Sequence, residues 1–151
     1  MSFIGYNREN KERLTMDGKF LSEFTTTGPC YVYSRKGISD RIDYLLKEIN
    51  LSLKQTEFFY AVKANHHDEV LKIICNKGLG VDVVSGGEMK RVLKAGFSPQ
   101  KIVFSGVAKT ELEIQTALDF GIRQLNVESL SELRRIAEIA KRSQKKTEIC
   151  L

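Results

Sequence analysis

Apolar residues arrive in short bursts along this chain, separated at regular intervals by polar or glycine-rich punctuation. Residues 58–64 read Phe-Phe-Tyr-Ala-Val-Lys-Ala, aromatic, small or β-branched until Lys63, as suits a buried strand. Similar bursts at 80–85, 101–106, 123–128 and 147–151 predict four more strands. Helical spacing predicts helices over 68–77, 86–94, 111–119 and 130–143, so strand and helix alternate. In the last helix Leu133, Ile136, Ala137 and Ala140 form one apolar face. An earlier helix over 38–49 repeats the logic with Ile38, Ile42, Leu45, Leu46 and Ile49.

The punctuation agrees with the periodicity. Gly78, Gly96 and Gly121 fall where helix C-termini need a residue that tolerates positive φ. Three helix starts carry the capping-box pattern, in which a hydroxyl and a glutamate three residues on serve each other's backbone N–H groups: Ser85-x-x-Glu88, Thr110-x-x-Glu113 and Ser129-x-x-Glu132. On that pattern Ser85 and Glu88 read as capping groups rather than catalysts.

Alternating strands and helices joined by short loops imply an α/β fold with a parallel sheet built from right-handed crossovers. A leucine-rich repeat has a similar period, but its Leu-x-x-Leu-x-Leu signature is absent. A doubly wound nucleotide-binding sheet would place Gly-x-Gly-x-x-Gly after its first strand, where this chain has Ala-Asn-His-His. A TIM-type (β/α)8 barrel fits better. Such a barrel takes eight strands and about 250 residues, whereas five strands are legible here. The expectation is the N-terminal part of a barrel within something longer.

Composition narrows the classes without choosing among them. The chain has 151 residues, 42% hydrophobic and 28% charged, enough for a core and a charged surface. The net charge of +5 is modest, and Lys141, Arg142, Lys145 and Lys146 cluster where a helix C-terminus favours cations, so no nucleic-acid partner is implied. No apolar run approaches the roughly 18 residues of a membrane span, and the N-terminus lacks a signal-peptide core, so the expected location is cytoplasmic with no membrane partner. Cys30, Cys75 and Cys150 are odd in number and far apart, which fits neither a disulfide framework nor a zinc site; Cys75, beside Ile73 and Ile74, reads as a small buried hydrophobe. His66 and His67 are adjacent and cannot form a helical metal pair, so no metal is expected.

The chemistry to look for lies at the carboxyl ends of the strands, where barrels gather their catalytic groups. Those ends read Lys63-Ala64-Asn65, Ser85-Gly86-Gly87-Glu88, Ser105-Gly106 and Asn126-Val127-Glu128-Ser129. Alternation puts Phe59, Ala61 and Lys63 on one strand face, and Asp82, Val84 and Gly86 on one face of the next. A lysine ending a core strand is costly to bury unless it is paired or put to use. Two readings stand: a structural ion pair with Asp82, or an amine nucleophile that holds a carbonyl as a Schiff base.

Four ordered blocks go further. "YAVKAN" (60–65), "VDVVSGGE" (81–88), "KAGFSPQKIVFSGVAKT" (94–110) and "LNVES" (125–129), preceded by "YVYS" (31–34), resemble the diaminopimelate decarboxylases. These belong to the alanine-racemase-like, fold-type III group of pyridoxal-phosphate enzymes, with ornithine and arginine decarboxylases. The resemblance implies that residues 28–151 are a partial cofactor-binding barrel, while 1–27 are an N-terminal segment that would join a C-terminal β domain. The resemblance implies that Lys63 is the covalent anchor of pyridoxal 5'-phosphate and that Asp82 lies in the cofactor's surroundings. Ser105, Asn126 and Glu128 are weaker candidates at neighbouring strand ends. It further implies an amino-acid substrate, meso-2,6-diaminopimelate converted to L-lysine and carbon dioxide, and a homodimer with a shared site. The family's later motifs are absent from these residues, so the chain alone is expected to show little or no decarboxylase activity. The alternatives are a decarboxylase for another amino acid or a carrier-bound substrate, and a non-catalytic truncated homologue that binds a partner chain. An unrelated α/β scaffold with a structural Lys63 is the remaining reading.

Overall fold

A computed structural model of the chain describes residues 6–10, 13–24, 27–52 and 56–151. The chain divides into two compact units, Met1–Thr56 and Glu57–Leu151.

The first unit holds a small antiparallel sheet, β1 (Tyr6–Asn10), β2 (Arg13–Met16) and β3 (Lys19–Phe20), in that order. The turn between β2 and β3 is Asp17-Gly18, with φ of 51° and 77°. Positive φ at both central residues is the hairpin geometry that favours Asp-Gly, because its twist matches the strands it joins. Helix α1 (Arg35–Ser52) follows; it contains the expected 38–49 stretch and buries Ile42, while Leu45 is exposed. The Ser34 hydroxyl accepts from the Gly37 N–H at 2.6 Å and donates to Asp17 at 2.5 Å, tying the helix start to the hairpin turn.

The second unit is a five-stranded parallel sheet, β4 (Phe59–Ala61), β5 (Gly80–Val83), β6 (Ile102–Phe104), β7 (Gln124–Asn126) and β8 (Ile149–Cys150), ordered as in sequence. Helices α2 (Asp68–Asn76), α3 (Gly86–Lys94), α4 (Glu111–Phe120) and α5 (Leu130–Arg142) make the crossovers. The α/β class stands as read from the periodicity. The sheet is open, with β4 and β8 at its edges.

The two faces of this sheet differ in kind. Val81, Val83, Ile102, Phe104 and Leu125 are completely buried, as are Leu71, Met89, Val92 and Ile114 on the helices. Each such side chain contributes about 1.5–3 kcal/mol by leaving water. The opposite face is only partly covered: register aligns Ala61 with Asp82, Asp82 with Val103, and Val103 with Gln124, and of these only Val103 is buried. Polar side chains are cheap to place on that face alone.

Several local expectations change. The strands are shorter than the apolar bursts, and the first ends at Ala61, where Val62–Ala64 turn into a 3-10 helix. Lys63 therefore leaves the strand alternation that grouped it with Phe59 and Ala61, and Val84 and Gly86 likewise lie past the end of β5. On α5 the buried stripe is Glu132, Ile136 and Ile139, while Ala137 is exposed. Cys75 is half-buried rather than buried. Gly78, Gly96 and Gly121 do take positive φ, 73°, 101° and 63°, at the ends of α2, α3 and α4.

Candidate active site

The carboxyl end of the open face is built on short turns. In the turn after β4, Val62 is fully buried while Lys63 is exposed. A buried neighbour before it and a tethered residue two positions after it hold the lysine's backbone. The tether is Asn65, whose carbonyl accepts from the Tyr60 hydroxyl at 3.1 Å and whose side chain accepts from the His67 N–H at 2.9 Å. His67 in turn caps α2, its Nδ1 accepting from the Glu69 N–H at 3.3 Å. Among the described residues no hydrogen bond or ion pair holds the Lys63 ammonium. The expectation of a buried lysine at the end of a core strand is thus corrected: the strand stops two residues earlier and the side chain stays in solvent. The ion pair with Asp82 is not formed.

Asp82 is engaged elsewhere. Its Oδ1 accepts from the Ser105 hydroxyl at 2.6 Å. Ser105 Oγ accepts from Asn126 Nδ2 at 2.9 Å, and Asn126 Oδ1 accepts from Gln124 Nε2 at 2.6 Å. The chain of bonds runs from Gln124 at the start of β7 to Asn126 at its end, then by Ser105 just past β6 to Asp82 near the end of β5. Each donor meets one acceptor, so the arrangement is directional and leaves the second Asp82 oxygen outside the relay. Of the residues singled out in sequence, Asp82, Ser105 and Asn126 come together. Glu128 does not join them; its side chain is exposed and its N–H donates to Glu132 at 2.7 Å.

Behind this relay lies a buried ion pair. Lys109 Nζ donates to Glu132 Oε1 at 3.0 Å, with side-chain exposures of 1% and 6%. The same ammonium donates to the carbonyls of Gly106 at 2.8 Å and Asn126 at 2.6 Å. All three N–H groups of the ammonium are used, which is the condition for burying it. The Phe104 ring lies 5.6 Å from Nζ. Gly106 adopts φ of 100°, and a Cβ there would come within 3.2 Å of the Val84 carbonyl, so this turn requires glycine. Neither Lys109 nor Glu132 was singled out for chemistry from the pattern. The available signal was charge placement: a lysine directly before the Thr110 cap opposes the helix dipole, which points to a partner specific to it.

The three Ser/Thr-x-x-Glu starts cap their helices as read, but their glutamates do different work. Only Thr110 and Glu113 close a reciprocal box. Glu88 reaches back to the Val84 N–H at 2.8 Å, and Glu132 to Glu128 and Lys109. Glu113 also accepts from the Gly86 N–H at 2.6 Å, joining the starts of α3 and α4. Burial pushes the Glu113 carboxyl up, but the Thr110 and Gly86 amides, the Thr110 hydroxyl and the Lys109 charge together hold it below the usual range.

The amino end of the face is closed differently. Glu57 bridges Lys101 at 3.0 Å and Arg123 at 2.6 Å, and Arg123 lies 5.5 Å from the Phe59 ring centroid. The Lys101 hydrogen bond, more than any other contact, holds the Glu57 carboxyl below its ordinary value. Polar acceptors at the carboxyl ends and a salt-bridged floor at the amino ends give the sheet the sidedness of a barrel with its chemistry at one end. Among the described residues no cluster of three or more His, Cys, Asp and Glu side chains is placed to hold a metal, and no helix is long and apolar enough to cross a membrane.

An exposed primary amine just past β4 and a hydrogen-bonded carboxylate on the adjacent strand β5 both lie toward the carboxyl end of a parallel sheet, and an amine of this kind suits a carbonyl-bearing cofactor. The family model described as "pyridoxal-dependent decarboxylase, pyridoxal binding domain" matches residues 39–150. The chain belongs to that family. Diaminopimelate decarboxylase of Zymomonas mobilis is 43% identical over 124 residues, covering 82% of this chain and 30% of that protein. The crystal structure of diaminopimelate decarboxylase from M. jannaschi superposes with a TM-score of 0.87 at 31% identity, covering 97% of this chain and 35% of that one. The Helicobacter pylori diaminopimelate decarboxylase complexed with L-lysine has a TM-score of 0.70 at 36% identity, covering 85% of this chain and 32% of that chain. The chain spans about a third of the length of the curated relatives it matches.

Proposed function

We propose that this chain carries the cofactor-anchoring part of a pyridoxal-phosphate-dependent amino-acid decarboxylase acting on meso-2,6-diaminopimelate, with L-lysine and carbon dioxide as products. The observation that carries the reading is Lys63: an exposed amine on a turn held from both sides, in a chain of the pyridoxal-binding family. The relatives named diaminopimelate decarboxylase at 31–43% identity, and the L-lysine bound to the Helicobacter protein, support the choice of substrate.

When bound, pyridoxal phosphate supplies a conjugated ring able to accept the electron pair left by a departing carboxylate. This chain's residues do the holding. The Lys63 amine would hold the cofactor covalently through its carbonyl carbon and, when not so engaged, would take up or release a proton at Nζ. Asp82, fixed by Ser105, would present a carboxylate whose orientation does not depend on Lys63. Asn126 and Gln124 keep the Ser105 hydroxyl directed at that carboxylate. Glu128 has no part in this assembly.

A pyridoxal-phosphate titration followed by absorption, borohydride reduction and peptide mapping tests the reading. Selective labelling of Lys63, lost in Lys63→Ala, is the expected result. Label scattered over surface lysines without a saturable band would sink it. A decarboxylase for another amino acid is separated by offering ornithine, arginine and diaminopimelate in turn and measuring carbon dioxide release.

A further inference from the structure

One buried charged group takes no part in that chemistry, and its contacts give it a task. Lys109 is nearly inaccessible, yet each of its three N–H groups lands on a group adjoining the polar relay or on the carboxylate that pairs with it. Gly106, whose carbonyl it holds, follows Ser105 directly. Asn126, whose carbonyl it also holds, donates its side-chain N–H to Ser105. Glu132 fixes the ammonium from behind and is itself held by the Glu128 N–H at 2.7 Å, while its backbone N–H donates to Ser129 at 3.2 Å. Arg135 donates to the Lys109 carbonyl at 3.1 Å and closes the assembly against α5.

A buried ion pair is weak evidence for stability, since well-packed apolar residues of the same volume often do as well or better. What an apolar pair cannot do is fix two carbonyls from different loops by directed bonds. We propose that Lys109 is a positioning residue for the site at Lys63: through the backbone of Gly106 and Asn126 it sets where Ser105 stands and therefore how Asp82 is presented. The inference rests on the reading of Lys63 as the cofactor anchor.

Lys109→Met alone strands the Glu132 charge and tests folding more than position. The informative variant is the double substitution Lys109→Met with Glu132→Leu, which removes both charges. A control, Val92→Ala, lowers stability on α3 without touching the relay. For each, the thermal midpoint, the solvent exchange of the Asn126 side-chain amide protons by NMR, and the yield of pyridoxal phosphate trapped on Lys63 are measured.

If Lys109 positions the relay, the double variant folds, yet its Asn126 side-chain protons exchange about tenfold faster, as the weakening of one hydrogen bond implies. Its Lys63 label falls as well, while Val92→Ala keeps both near wild type. A folded double variant with wild-type Asn126 exchange and wild-type label overturns the proposal. An unfolded double variant overturns it too, because the pair would then be a stability element. Should the wild-type chain fail to label Lys63 selectively, the cofactor reading falls, and Asn126 exchange still decides whether Lys109 sets the relay.

Discussion

Lys63 and Lys109 stand just beyond the carboxyl ends of β4 and β6, in the same sheet, and have opposite surroundings. Lys109 is enclosed, with a carboxylate and two carbonyls on its ammonium. Lys63 is exposed, and among the described residues nothing is bonded to its amine. The difference separates two uses of a cation. One has every N–H of its ammonium bonded within the fold; the other has its backbone fixed by Val62 and Asn65 and its amine left open. A site that must form and release a covalent bond needs the second kind, and a loop that must not move needs the first.

Removing the enclosed lysine is the strongest way to break this contrast. Lys109→Met leaves Glu132 buried without its counter-charge, and the expected loss is about 3–5 kcal/mol. Urea unfolding followed by circular dichroism checks it. A loss under about 1 kcal/mol would mean that water reaches Glu132 and that the two lysines are less different than their burial implies.

How much of this contrast was legible beforehand depends on the range of the interactions involved. The α/β alternation was readable because hydrophobic periodicity is local, and the helix-covered valines and isoleucines follow from it. Asp17-Gly18 is equally local and announces the β2–β3 turn, although the flanking residues are too polar for the pattern to flag a sheet there. Lys63, Ser105 and Asn126 were read as strand ends and Asp82 from strand alternation and the family resemblance, but the bonds joining Asp82, Ser105 and Asn126 were not legible, because register between strands is non-local. Lys109 and Glu132 were missed for the same reason: they are 23 residues apart, and nothing in either neighbourhood names the other. The exposure of Lys63 was misjudged because the burst of apolar residues runs past the hydrogen-bonded strand, and only Val62 of the last three residues is buried.

The amino end of the open face offers a test that should lower stability while leaving both lysines as they are. A Cβ at Gly80 would meet the Phe59 ring at 2.4 Å and the Lys101 carbonyl at 2.9 Å. The carbonyl is backbone and the ring is held near Arg123, so neither gives way cheaply. Gly80→Ala is expected to cost about 1–3 kcal/mol by overpacking, with cofactor labelling of Lys63 unchanged in the folded fraction. A large drop in labelling would show that the two ends of the face are coupled and that Lys63 is less independent than its turn suggests.

Acid titration sharpens the bonded side of the comparison. The Glu113 carboxyl is held below its ordinary value in the folded chain, so its contribution is fully present above the unfolded value of about 4.3. It is lost as pH falls through the lower folded value, because protonation removes the charge that strengthens the bonds from Gly86 and Thr110. Glu113→Gln should cost about 1–2 kcal/mol near neutral pH and flatten the decline in stability below that point. An equally steep decline in both proteins would assign the acid sensitivity to other carboxylates.

The smallest expected effect belongs to the residue with the largest proposed role. Lys63→Ala removes a side chain that is exposed and whose amine has no partner among the described residues, while Val62 and the Tyr60–Asn65 bond that hold its turn remain. Surface substitutions of this kind fall within about 0.5 kcal/mol of wild type. Thermal unfolding of the variant without cofactor should therefore overlay the parent curve. With pyridoxal phosphate added, the parent midpoint should rise by mass action as the ligand binds the folded state, and the variant midpoint should not follow it. If Lys63→Ala instead unfolds early without cofactor, the lysine is a structural residue after all. The reactive and the structural cation would then have to be sought in one place rather than two.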